Sequence, residues 1–158
     1  MSWNALESEE PALAAVGRER PDGRVSYLAT VDRSGAPRLH PVTPVIGDGR
    51  LFLFMEPTSP KGRDLERGSG FALHCGVENN EGGAGEFFVM GTAVQLSDSA
   101  SREAAARHAS YAPADRYILF ELLIESAMAT TYGESGPIRR RWQSAETRPK
   151  RDSATMPR

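Results

Sequence analysis

Ser59-Pro60-Lys61 is the stretch of the 158-residue chain whose residue types and spacing could do chemistry. A serine before a proline reads as a helix N-cap, its hydroxyl accepting from an open backbone N–H. Pro60 then takes the first helical position, where a missing N–H costs nothing. A helix start carrying a hydroxyl, open N–H groups and Lys61 is a natural seat for an anion such as a phosphate. On this stretch alone the pattern equally fits an ordinary capped surface helix with a solvated lysine.

The other chemistry-bearing residues are few. Arg38 and His40 alternate along one strand and so share a face. Arg38 with Lys61 could balance a phosphate dianion, each charge-assisted bond supplying about 1.5–3 kcal/mol. His40 could donate to a ligand or titrate near neutral pH, or serve as a structural histidine between prolines. His74 and Cys75 are neighbours on a strand and point to opposite faces, so they cannot simply share a metal. His108 falls on an outer helix. Three histidines and one cysteine without ligand spacing make no zinc site. The Arg139-Arg140-Arg141 run reads as a solvated or phosphate-facing strand rather than a nucleic-acid contact. No Ser/His/Asp or Cys/His constellation is visible, so no catalytic residue is assigned.

The elements that must position these residues follow from turn signals. Trp3 to Arg20 is helical, in two pieces if Pro11 starts the second. Val25–Val31 is a strand and Asp32–Gly35 a hairpin loop. Arg38–Ile46 returns as a second strand, and its Pro41 and Pro44 require one side to be unpaired or bulged. Gly47-Asp48-Gly49 turns the chain into a third strand, Arg50–Phe54. The helix of Ser59-Pro60-Lys61 runs to about Arg67. Phe71–Val77 is a fourth strand. Glu86–Leu96 is a fifth, bent or bulged at Gly91. Asp98 or Ser99 caps a helix to about Tyr111, Tyr117–Tyr132 is a long sixth strand, and Ile138–Trp142 a short last one. Six or seven closely spaced strands with few helices predict a mainly β fold, an antiparallel barrel with flanking helices.

Composition agrees with one globular domain: 39% hydrophobic residues, 25% charged and a formal net charge of −2. That balance gives no drive toward nucleic acid or anionic membranes. A single cysteine, an acidic start without a signal-peptide pattern and no long apolar run lead to a cytoplasmic expectation. The barrel domain is expected over 1–143, with 144–158 a disordered basic tail.

The run Tyr27–Val42, then Gly49–Phe54, Ser59–Leu65 and Phe71–His74, resembles the pyridoxamine 5′-phosphate oxidase-like superfamily of flavin- or deazaflavin-binding split barrels. The similarity extends through Gly85–Ala93 to Trp142. It implies a six- to seven-stranded antiparallel split barrel, a homodimer with the cofactor at the subunit interface, and FMN as cofactor. Carried over by position, the FMN contacts are Arg38, Leu39, His40, Pro41, Val42 and Thr43 on the second strand, and Phe54 and Met55 at the exit of the third. Ser59, Lys61, Glu86 and Trp142 complete the set. Three positions depart from the family pattern. Met55 stands where a hydroxyl residue is frequent, Pro60 where an arginine is, and Glu86 where the oxidases have glutamine. The Arg-Leu-His-x-Arg segment that holds a pyridoxal ring is absent, since Pro137–Trp142 reads differently. The resemblance therefore implies a flavin oxidoreductase acting on a small molecule other than pyridoxamine phosphate. The alternatives are a deazaflavin-dependent reductase, whose longer anionic tail Arg63, Arg67 or the Arg139 run could line, and a non-catalytic flavin or haem carrier.

Overall fold

The computed structural model describes residues 1–81 and 83–147. Two short helices open the chain, α1 (Trp3–Glu9) and α2 (Pro11–Glu19), with Pro11 at the first position of the second helix. Eight strands and two more helices follow among the described residues: β1 (Ser26–Val31), β2 (Pro37–Val42), β3 (Val45–Gly47), β4 (Arg50–Met55), α3 (Pro60–Glu66), β5 (Phe71–Cys75), β6 (Glu86–Leu96), α4 (Ser99–His108), β7 (Ile118–Gly133) and β8 (Gly136–Gln143).

Every strand pairing is antiparallel, in the order β2-β1-β5-β6-β7-β4-β3. β2 and β3 stand at opposite ends of this ladder, yet only Thr43 and Pro44 separate them in the chain. A two-residue link spans only about 10 Å, so the sheet must curl until its ends meet. The continuous second strand expected over Arg38–Ile46 is therefore two strands. Pro44 turns the corner, and the halves pair with β1 and β4 respectively. The proline argument holds for β2, an edge strand whose outer side is free to accommodate Pro41.

β7 shares one of its sides between two partners. Ile118–Glu121 pairs β4, and Ser126–Gly133 pairs β8. Its other side follows β6 throughout, with a register shift at Met90/Gly91. A Cβ on Gly91 would lie 1.8 Å from the Leu123 carbonyl oxygen, so the bulge requires glycine.

Alternation divides β4 between two cores. Leu51, Leu53 and Met55 face the barrel interior with Leu28, Leu73 and Val89. Phe52 and Phe54 face outward under α4, against Ala105 and Leu119. α1 and α2 close the barrel with the fully buried Trp3, Leu6 and Leu13, and the Trp3 ring sits 5.9 Å from that of Phe87. Asp98 caps α4 by accepting from the Ser101 N–H at 2.8 Å. Ser144–Thr147, counted in the sequence as the start of the tail, form a turn tied to β7 by the Ser144 N–H on the Glu125 carbonyl. The rest of the expected tail, 148–158, lies outside the described residues. Among the described residues no helix is long and apolar enough to cross a membrane.

Candidate anion site at the start of α3

Alternation along the edge strand β2 decides which side chains can meet α3. Arg38, His40 and Val42 turn inward and are half-buried, whereas Leu39 and Pro41 are exposed. α3 begins as the sequence expects. Ser59 Oγ accepts from the Gly62 N–H at 3.2 Å, and Pro60 takes the first position. The Ser59 oxygen thus accepts in the cap, and its O–H remains free to donate.

The helix is pinned by a carboxylate that sequence reasoning passed over. Asp64 is 1% exposed. Its Oδ2 accepts from Thr30 Oγ1 at 2.9 Å and lies 3.2 Å from Arg38 Nε, while Oδ1 takes Arg67 Nη2. The Arg38 Nε contact is an ion pair without hydrogen-bond alignment. Arg38 also reaches Asp32, its Nη2 standing 3.3 Å from Oδ2. The arginine expected to offer a charge to phosphate is therefore flanked by two carboxylates of its own chain. The one available signal was spacing: Lys61 and Asp64 are three residues apart and share a helix face.

Lys61 is different. It is half-buried, burial pushes its amine below the ordinary lysine value, and among the described residues it has no ion-pair partner. His40 stands close by. Burial, then the charges of Lys61 and Arg38, hold its imidazole below 6.5, with Asp64 pulling the other way. Its Nε2 is enclosed and lacks a hydrogen-bond partner among the described residues. A cleft of about 520 Å³ opens between the β1–β2 loop and α3, lined by Arg33, Arg38, Arg63 and Arg67 together with Asp32 and Asp64 rather than by His40 or Lys61.

The remaining expected site residues are scattered. Thr43 is half-buried at the β2–β3 corner and Val42 packs on the core. Met55 is interior, its Sδ 3.2 Å from where a Cβ on Gly62 would stand. Phe54 points the opposite way, under α4, with the Arg102 guanidinium 5.3 Å from its ring centre. Glu86 and Trp142 are remote. Trp142 is 5% exposed and donates Nε1–H to Glu9 Oε2 at 2.8 Å. It pairs with Ala127, whereas the start of α3 lies over Ile118. Nine residues of β7, about 30 Å of strand, separate the two positions. Trp142 lines its own cavity of about 460 Å³ with Phe88, Met128 and Arg141.

His74 and Cys75 face opposite sides as expected. Cys75 is 1% exposed, and its Sγ accepts the Phe87 N–H at 3.1 Å. His74 faces an outer apolar cavity with Tyr27, Leu39 and Phe88, its Nδ1 2.6 Å from the Cys75 carbonyl oxygen. Bonding to Cys75, aided by the Glu86 carboxylate, pushes this imidazole up to about 8. His108 is exposed and meets Asp48 at 2.9 Å. Among the described residues no group of three or more His, Cys, Asp or Glu side chains could hold a metal.

A curled antiparallel sheet with one strand shared between two partners is a split barrel. The family model described as Pyridoxamine 5′-phosphate oxidase matches residues 14–132, and the chain belongs to that family. Solved structures share the fold. A protein from Clostridium acetobutylicum related to general stress protein 26 of B. subtilis superposes with a TM-score of 0.58 at 16% identity, over 90% of this chain and 97% of that one. A nimc/nima family protein from the same organism gives 0.62 at 16%, over 88% and 96%. The heme binding protein from Mycobacterium smegmatis gives 0.59 at 18%; the match covers 77% of this chain but only 53%, about half, of that one. No curated protein sequence matches the chain.

Proposed function

We propose that the chain binds FMN and acts as a flavin-dependent oxidoreductase on a small molecule other than pyridoxamine phosphate. The observation that carries this reading is Lys61 with His40: two half-buried bases, one at the start of α3 and one on β2 within reach of its charge, with no carboxylate paired to Lys61 among the described residues. A phosphate supplies the missing negative charge. Lys61 and His40 bind it from α3 and β2, and Asp64 with Asp32 holds the Arg38 guanidinium at the rim. The family match supports flavin as the group that carries this phosphate.

The distance between Lys61 and Trp142 argues that one chain makes half a site. Tyr27, Leu39, Val77 and Met90 leave apolar side chains exposed on the outer sheet face, each 43–67% accessible. Burying that face against a second copy forms a homodimer in which Trp142 and Glu86 of one copy complete the cofactor site of the other. When bound, the flavin supplies hydride transfer. The chain supplies binding, orientation and exclusion of water. Titration of the purified protein with FMN, followed by turnover with reduced nicotinamide and an electron acceptor, tests the reading. Binding without turnover reduces it to a flavin carrier. Uptake of deazaflavin in place of FMN moves the Arg63–Arg67 cleft to the cofactor tail.

One observation favours a second reading, haem binding. His74 stands in an apolar cavity of about 450 Å³ with Nδ1 held by a backbone carbonyl, the arrangement that leaves Nε2 to a metal. A Soret band lost in His74→Ala would favour it over FMN.

A further inference from the structure

Where β5 ends, buried polar groups gather on the barrel side of the sheet. Register sets Ser26 of β1 directly opposite Cys75 of β5, so the two side chains are neighbours on one face. It is the inward face, continued two residues along by the buried pair Leu28 and Leu73. Arg20, at the end of α2, closes over the same strand end. Its Nη2 donates to the carbonyl of Gly76, the residue after Cys75, at 2.9 Å, and its Nη1 donates to Glu78 Oε1 at 2.9 Å.

Two donors are left over. Ser26 is 0% exposed and Arg20 5%, yet the Ser26 hydroxyl and Arg20 Nε are both enclosed without a hydrogen-bond partner among the described residues. Burying an unpartnered donor is costly, so two of them beside one thiol point to a missing acceptor. The thiol itself is polarised. Its Sγ accepts the Phe87 N–H at 3.1 Å. Burial pushes the thiol up, but His74, the Phe87 N–H and Arg20 outweigh it and hold the group below the ordinary thiol value. That is the environment of a reactive cysteine rather than of an inert buried one.

We infer that Cys75 is a peroxide-reactive thiol, and that Arg20 Nε–H and the Ser26 hydroxyl receive the oxygen it gains. The inference does not depend on the flavin phosphate reading. The Cys75 thiolate attacks one oxygen of hydrogen peroxide, and the S–O bond forms as the O–O bond breaks. The leaving hydroxide takes the proton of the new S–OH group, giving water and a sulfenate. Sulfur loses two electrons and the peroxide gains them. The sulfenate oxygen is the acceptor that both leftover donors lack. Burial sets the substrate class: the enclosed sulfur is open to an oxidant close to the size of water, and closed to a disulfide.

The test compares the folded wild-type chain with the same chain unfolded in urea. Each is exposed to hydrogen peroxide at neutral pH, catalase stops the reaction, and the remaining thiol is titrated in urea. Cys75 is the only cysteine, so the titre reports one sulfur, and methionine oxidation leaves it unmoved. We expect the folded thiol to be consumed about tenfold faster than the unfolded one, and the titre to return with dithiothreitol. Ser26→Ala removes a leftover donor and breaks no hydrogen bond. It should keep the urea midpoint of the wild type and slow the oxidation. A folded thiol consumed no faster than the unfolded one overturns the inference, and so does a folded Ser26→Ala variant oxidised at the wild-type rate. If the variant does not fold, the wild-type comparison decides alone.

Discussion

Lys61→Met separates binding from folding more cleanly than any other substitution in the site. Methionine keeps the length of the side chain and removes its charge. In the folded chain Lys61 is half-buried, burial disfavours its charged form, and no carboxylate among the described residues is left unpaired when it goes. Folding stability should therefore stay within ~0.5 kcal/mol of wild type or rise. Binding should move the other way. One charge-assisted bond to phosphate contributes about 1.5–3 kcal/mol, a loss of about 10- to 150-fold in FMN affinity. Urea unfolding and flavin fluorescence titration on the same preparation read both quantities. Unchanged FMN affinity would remove Lys61 from the phosphate site. A large fall in stability would show that its charge has a protein partner and refute the reasoning.

Asp64→Asn removes the charge that Thr30, Arg38 and Arg67 share, but both arginines can reach solvent. A loss of about 1–3 kcal/mol in urea unfolding is expected, smaller than for a pair enclosed on both sides. The His74 imidazole, pushed up to about 8 from 6.5, contributes stability that is fully present below pH 6.5 and is lost as pH rises through 8. Thermal midpoints between pH 6 and 9 should show this decline, and His74→Gln should flatten it. Gly91→Ala drives a Cβ to 1.8 Å from the backbone of Leu123 and should cost more than about 4 kcal/mol, read as loss of soluble folded protein.

Local signals located most of the elements because each rests on chemistry within a few residues. Pro11 starts α2, Gly47-Asp48-Gly49 turns between β3 and β4 with positive φ at Asp48 and Gly49, and Ser59 and Asp98 cap their helices. Where the sequence misled, the deciding contact was distant. Pro44 signals an interruption within Arg38–Ile46, but nothing local reports that it carries the chain from one end of the sheet to the other. Arg38 reads as a free phosphate partner because Asp64, 26 residues on, is invisible to strand periodicity. Trp142 matches a family position by order in the chain, yet within one chain it is packed against Glu9, far along β7 from Lys61. The proximity of His40 to the Lys61 charge was legible only in halves, one base on a strand face and one at a helix start.

The account turns on a flavin phosphate held between β2 and α3, and the absorption spectrum of freshly purified protein tests it most directly, with mass spectrometry of what denaturation releases. The account predicts flavin absorption and released FMN, at close to one per chain after saturation. A Soret band, or a folded protein that stays colourless and takes up no FMN on titration, would contradict it.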